Sequence, residues 1–170
     1  MPVELYTDAR DRDIYIVPDI GRTTSNETYE IQERIASGGN AVVHGCAHTA
    51  SGNEYAIKLQ LARGFKRFRR FKREIKLLKS VSHAQLIQFV DEGVAKGQKR
   101  RSHDGHDEVR IPFLVMPRAD DNLKTFLHSH NREVPYEQYV AQFKGLASAL
   151  AALHQKAVHR DIKPENVLIR

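Results

Sequence analysis

The sequence predicts an α+β protein, on two observations. Up to about residue 116, short apolar runs alternate with turn-forming clusters such as Gly38-Gly39 and Ser51-Gly52-Asn53, the punctuation of antiparallel strands. Two longer segments, near 64–81 and 136–155, instead repeat apolar residues at three- and four-residue steps, the period of an amphipathic helix. Strands gathered in one part and helices mainly in the other segregate the two kinds of structure, unlike the alternation of a parallel βαβ sheet. With 170 residues and 41% apolar content, the chain is long enough to bury a core.

Each element follows in order. Within residues 1–28, Ile14-Tyr15-Ile16-Val17 is the strand-like run and Gly21 to Thr28 a polar link, so this part reads as an extension packed on the domain. Strands are expected at about 29–36, 41–49 and 53–60. In the helix near 64–81, Phe65, Phe68, Phe71, Ile75 and Leu78 share one face, which predicts a buried stripe. Glu74 lies beside that stripe, a place that suits an inward-facing ion pair. Two further strands, near 86–92 and 111–116, flank a polar insert from Ala95 to Arg110, which reads as an exposed loop. That insert holds Gly97, Gly105 and a Lys99-Arg100-Arg101 cluster. Its two histidines, His103 and His106, lack other evident ligands and are expected to be solvated rather than metal-bound. A short helix near 122–130 has Asp121 or Asn122 as its N-cap. In the last helix, near 136–155, Tyr136, Tyr139, Phe143, Leu146, Leu150 and Leu153 form the core-facing stripe.

Charge is concentrated in one place. Residues 62–79 hold nine Lys or Arg against one Glu, a local +8 in a chain whose net charge is +6. Arg63, Lys66, Arg67, Arg69, Arg70, Lys72, Arg73, Lys76 and Lys79 cover most of that helix outside its apolar stripe. Such a surface is either a solvated helix face or a docking site for an acidic or phosphorylated partner. Nucleic acid is disfavoured, because the phenylalanines are expected in the core and no aromatic-plus-basic motif surrounds them. A lone cysteine, Cys46, excludes an internal disulfide and suits a reducing compartment. The first twenty residues lack the apolar core of a signal peptide, and no run approaches the roughly 18 apolar residues of a membrane span, so the expected location is cytoplasmic.

Residues 159–169 read His-Arg-Asp-Ile-Lys-Pro-Glu-Asn-Val-Leu-Ile. This H-R-D-x-K-x-x-N run followed by an apolar strand resembles the catalytic loop of protein kinases. The upstream sequence resembles the same family, motif by motif and in the family's order. Residues 35–43, Ile-Ala-Ser-Gly-Gly-Asn-Ala-Val-Val, lie where that family has its glycine-rich hairpin. Tyr55-Ala56-Ile57-Lys58 matches the third-strand lysine motif, Glu74 lies where the αC glutamate belongs, and His83 stands at the helix exit. Phe113-Leu114-Val115-Met116 resembles the strand that enters the hinge. The hairpin departs from the G-x-G-x-x-G pattern, with Ala36 and Ala41 at the outer positions, Gly38 at the centre and Gly39 beside it. By itself Ser37-Gly38-Gly39-Asn40 is equally a plain hairpin turn.

The resemblance implies a fold, a chemistry and a set of residues. The fold is a small β-rich lobe with its αC helix over 29–116, interrupted by the insert at 94–110, then the hinge and start of a helical large lobe over 117–170. The implied activity is transfer of the γ-phosphate of Mg-ATP to a protein hydroxyl, with Lys163-Pro164-Glu165 of the serine/threonine type. Asp161 would accept the hydroxyl proton, Lys163 would neutralise charge on the moving phosphate, and Asn166 would supply oxygen to Mg2+. ATP would be bound by Ile35, Ala36, Ser37, Gly38, Gly39, Asn40, Ala41, Val43, Ala56, Lys58, Met116 and Ala119, with Glu74 paired to Lys58. Pro117 has no N–H, which makes Ala119 the hinge donor to adenine. Asp120 and Asp121 are candidates for the ribose. The family's Asp-Phe-Gly motif and activation segment have no counterpart in residues 1–170, so this stretch alone is expected to be inactive. The alternative is a non-catalytic kinase-like module acting through a partner.

Overall fold

A computed structural model describes residues 2–6, 14–18, 20–61, 64–100, 105–129 and 136–170. The chain divides into two compact units, Met1–Lys76 with Phe89–Arg118, and Leu77–Gln88 with Ala119–Arg170.

The first unit is built on antiparallel strands. They are β1 (Val3–Leu5), β2 (Tyr15–Val17), β3 (Ile20–Arg22), β4 (Thr28–Ser37), β5 (Ala41–His48), β6 (Glu54–Gln60), β7 (Asp91–Arg100) and β8 (His106–Pro117). Helix α1 (Phe65–Ser80) follows β6. All eight strands join one sheet in the order β1-β2-β7-β8-β6-β5-β4-β3. The sheet also curls back on itself. Thr23 bridges Gly93, and the Thr24 N–H donates to the Glu92 carbonyl (2.8 Å), so the chain leaving β3 meets β7. Gly93 permits that approach: a Cβ there would lie 2.4 Å from Phe113 Cζ and 2.6 Å from the Arg22 carbonyl oxygen.

Strand alternation sorts the side chains. Ile57, Leu59, Phe113 and Val115 are fully buried on one face, in a cluster with Tyr29, Ile31, Val42 and Cys46. Leu5, Tyr15 and Val17 of the first two strands belong to the same cluster, so the extension is part of the core. Burial pushes the Cys46 thiol up to about 12 and leaves it un-ionised.

The insert expected as a loop is strand instead. Lys96 to Arg100 and His106 to Arg110 pair in register from Lys96↔Arg110 to Arg100↔His106, and β2 pairs the far end of β7 through Ile16↔Gln98 and Tyr15↔Lys99. Polar composition misleads here because β7 is hydrogen-bonded on both edges, which few apolar side chains announce; of the insert's described residues only Ala95 and Val109 join the buried cluster. Gly97 marks the crossing, since a Cβ would sit 2.6 Å from the Ile16 carbonyl oxygen. The strand expected near 86–92 therefore begins only at Asp91, and part of the link expected at 21–28 is strand β3. Arg63, Arg101 and His103 lie outside the described residues; His106 is exposed.

The stripe on α1 is also only partly buried. Phe71 and Ile75 are covered, at 2% and 6% exposure, whereas Phe65 and Phe68 are 73% and 39% exposed. Both open rings carry cations, with Arg69 5.4 Å from the Phe65 ring centre and Lys72 4.8 Å from that of Phe68.

The second unit contains β9 (Asp121–Asn122), α2 (Leu123–Ser129), α3 (Tyr136–His154), a 3-10 turn (Pro164–Asn166) and β10 (Leu168–Ile169). Asn122 caps α2, its Oδ1 accepting the Thr125 N–H at 3.1 Å. Strands β9 and β10 pair antiparallel, which pins the end of the 159–169 run to the start of α2. On α3, Ala149 and Leu153 are buried while Phe143 is 62% exposed; the side chains of Tyr136 and Tyr139 lie outside the described part. Among the described residues no helix is long and apolar enough to cross a membrane.

Candidate active site

Two groups of side chains carry chemistry, one in each unit. In the first, antiparallel register sets side chains of paired residues on a common face. Val43 pairs Lys58, which pairs Leu114; Gly45 pairs Ala56, which pairs Met116. Val43, Ala56, Lys58 and Met116 therefore share the face opposite the Ile57–Phe113 core. Ala36 joins them through its pairing with Val43. The Lys58 ammonium meets Glu74 Oε1 of α1 at 2.6 Å. Both side chains are partly exposed, at 26% and 41%, so the pair contributes about 1 kcal/mol or less and acts mainly by fixing where the ammonium sits. An ammonium has three donors, which leaves two for a ligand.

The hairpin from β4 to β5 closes with the Gly38 N–H donating to the Ala41 carbonyl at 2.9 Å. Neither Gly38 nor Gly39 adopts positive φ, so the turn itself does not require glycine. A Cβ on Gly39 would meet nothing within 4 Å, and one on Gly38 only the Ala41 carbonyl oxygen at 3.9 Å. Ser37 ends β4, Asn40 is exposed, and Ile35 is 45% exposed where the β4–β5 register shifts between Arg34 and Ala36. Met116 is half-buried near the end of β8.

In the second unit the 159–166 loop gathers two side chains around the Asp161 carboxylate and a third against its backbone. Asn166 Nδ2 donates to Asp161 Oδ2 (3.0 Å) and to the Asp161 carbonyl (2.7 Å), and Lys163 Nζ lies 3.2 Å from Asp161 Oδ2. The Asp161 N–H donates to His159 Nδ1 at 3.3 Å. These bonds, from Asn166 first and Lys163 second, hold the Asp161 carboxyl below the usual carboxylate range. Arg160 has φ 63°, a left-handed conformation that disfavours any residue with a Cβ. It costs on the order of 1–2 kcal/mol and marks a loop whose shape is imposed by its surroundings. Lys124 of α2 bonds Glu165 at 2.9 Å and pulls its carboxyl down too. His83 accepts the Gln85 N–H at Nδ1 and bonds Ser148 Oγ through Nε2 at 3.0 Å, a role in holding α3 rather than in chemistry.

A hard divalent cation takes oxygen ligands. Asn166 turns its amide nitrogen to Asp161, so the amide oxygen is left available for such an ion, beside an ionised carboxylate. Among the described residues no cluster of three or more His, Cys, Asp or Glu could hold a metal alone.

Ala119, half-buried, makes no backbone hydrogen bond through its N–H among the described residues, whereas the Asp120 N–H donates to the Ile169 carbonyl (3.0 Å). Asp121 Oδ1 accepts the Asn122 N–H at 2.7 Å, an ordinary turn contact. Sequence inspection missed two residues on the Lys58 face, Glu33 and Gly45. Arg118 forms ion pairs with Glu33 (2.6 Å) and Glu54 (3.9 Å), and a Cβ on Gly45 would lie 2.9 Å from Arg118 Nη1. A glycine inside a strand was the available signal.

Comparison with known proteins supplies an independent line. Residues 29–170 match the family described as the protein kinase domain. The chain is 33% identical over 146 residues to a probable serine/threonine-protein kinase of Streptomyces coelicolor, covering 83% of this chain and 20% of that protein. It is 32% identical over 145 residues to the serine/threonine-protein kinase PknL of Mycobacterium bovis, covering 83% and 33%. To the mitogen-activated protein kinase mpkB of Aspergillus fumigatus it is 31% identical over 146 residues, covering 85% and 38%. The chain thus spans between a fifth and two fifths of the length of these relatives.

Proposed function

The chain belongs to the protein kinase family, and from that premise we propose that it serves an ATP-dependent serine/threonine protein kinase. The Lys58–Glu74 ion pair supports this reading most, because it joins two motifs that were picked out separately in the sequence. Lys58, held by Glu74, binds the α- and β-phosphates. Val43, Ala56 and Met116 line the adenine, and the Ala119 N–H, which has no hydrogen-bond partner among the described residues, donates to it. Gly38 and Gly39, which the turn does not require, keep the hairpin bare so that backbone N–H groups reach the phosphates.

Asp161 accepts the proton of the incoming serine or threonine hydroxyl and aims its oxygen. Lys163 offsets charge on the moving phosphoryl group, while Asn166 holds Asp161 in place with its nitrogen and Mg2+ with its oxygen. Bound there, Mg2+ supplies Lewis-acid neutralisation of phosphate charge. The basic face of α1 takes an acidic or phosphorylated protein partner. The lone thiol, buried and un-ionised, suits the cytoplasm.

The test is transfer of labelled phosphate from Mg-ATP to a mixed protein substrate by the native-length protein. Asp161→Ala is expected to lower the rate by roughly 10²–10⁴. Residues 1–170 alone, which contain no Asp-Phe-Gly run, are expected to show none. Absent activity at native length, or activity that survives Asp161→Ala, would turn the assignment to a non-catalytic module.

A further inference from the structure

Strand β8 and strand β4 are not neighbours: β6 and β5 lie between them in the sheet. A flat sheet would set them roughly 14 Å apart, three strand spacings. Yet Arg118, immediately after β8, meets Glu33 of β4 with Nη2 2.6 Å from Oε1. Two conditions make that possible. The sheet is curled, and the residue under the crossing is glycine. A Cβ at position 45 would stand 2.9 Å from Arg118 Nη1 and 3.0 Å from both Glu33 carboxylate oxygens. The first lies just inside the distance a Cβ tolerates and the other two at its edge, so a larger residue at 45 obliges the ends of these two side chains to shift.

The crossing lies on the face that carries the proposed nucleotide-binding residues. Gly45 is in register with Ala56, and Ala56 with Met116. Arg118 stands two residues beyond Met116, and Glu54, its second partner at 3.9 Å, two residues before Ala56. The glycine-bearing hairpin grows from β4 and β5, so a tie to Glu33 restrains its root.

We infer that Arg118 and Glu33 form a strap across Gly45 that fixes the curl of the nucleotide face, and so positions the hairpin for ATP. This rests on the proposed nucleotide reading. Neither residue touches the reacting phosphate; both are positioning residues, and their loss should weaken ATP binding while sparing the chemical step.

The measurement is Mg-ATP affinity by calorimetry, with the KM for ATP and kcat of the native-length protein alongside. Arg118→Gln and Glu33→Gln are each expected to weaken ATP binding about tenfold and raise KM in proportion, with kcat unchanged. The double variant should be no weaker than either single one, since each already removes the same tie. Gly45→Ala, which changes no charge, should reproduce the effect by displacing the guanidinium. Loss in Arg118→Gln but not in Glu33→Gln would mean that Arg118 merely offsets nearby carboxylates, and would overturn the strap. Additive losses, an equal fall in kcat, or unchanged affinity in all three would overturn it as well. If the unsubstituted protein does not bind ATP, the nucleotide reading falls and the strap falls with it. If it binds ATP and the variants bind equally well, only the strap fails.

Discussion

Asp161 illustrates how a single residue's chemistry is set by a few neighbours. It is exposed, and hydrogen bonds donated by Asn166 and Lys163 outweigh the opposing desolvation and hold its carboxyl low. Those bonds favour the charged form, and the sign follows: a depressed carboxyl stays ionised as pH falls through the range where an unfolded Asp would protonate. The contacts it makes persist above that range and are lost only as pH drops through the lower folded value. Replacing Asn166 by Ala removes the first cause, so the Asp161 titration, followed by carbon NMR of its side chain, is expected to move up toward the ordinary range. A midpoint that stays put would show that Lys163 alone sets it. The same eight residues contain the left-handed Arg160, and all these contacts are local, which is why the loop's identity could be read from the sequence.

Helix α1 shows the opposite at the scale of an element. Its periodicity correctly marks one apolar face, and Phe71 and Ile75 are buried as that face requires. Periodicity does not say how far the covering sheet extends, and Phe65 and Phe68 lie beyond it. The first turns of α1 thus present two rings, each overlain by a cation, among Lys66, Arg67, Arg69, Arg70 and Lys72. An acidic protein segment docking here should bind more weakly as salt rises through the physiological range, because exposed charges are screened beyond about 8 Å at 0.15 M. Anisotropy of a labelled Asp/Glu-rich peptide is the measurement, with Arg69→Glu and Lys72→Glu expected to weaken it at least tenfold. Equal binding by these variants would leave the helix face merely solvated. Glu74, on the same helix, reaches Lys58 instead.

At the scale of the whole molecule, residues 1–22 do more than extend a sheet. Strand β2 covers the outer edge of β7, β1 covers β2, and β3 meets both β4 and the inner run of β7. Leu5 and Val17 are 0% and 1% exposed, and burying such side chains stabilises by about 1.5–3 kcal/mol each. Deleting residues 1–18 should therefore lower urea-unfolding stability by several kcal/mol. It should also bare the β7 edge, whose unpaired N–H and C=O groups invite pairing with another chain. Sedimentation should then show concentration-dependent association. An unchanged unfolding midpoint and a monodisperse truncated chain would show that these strands only decorate the fold.

The sequence by itself determined the α+β class, the strands around Lys58, both long helices and the kinase resemblance of the 159–169 loop. Each of these depends on residues near one another in the chain, where spacing and side-chain type translate directly into geometry. Only the tertiary structure decided that Lys96–Arg100 and His106–Arg110 are paired strand, that Phe65 and Phe68 are open, and that Glu33 reaches Arg118 across Gly45. Backbone pairing is indifferent to side-chain polarity, and the extent of a covering surface is set by distant segments. A contact made over a glycine leaves in the sequence only the glycine.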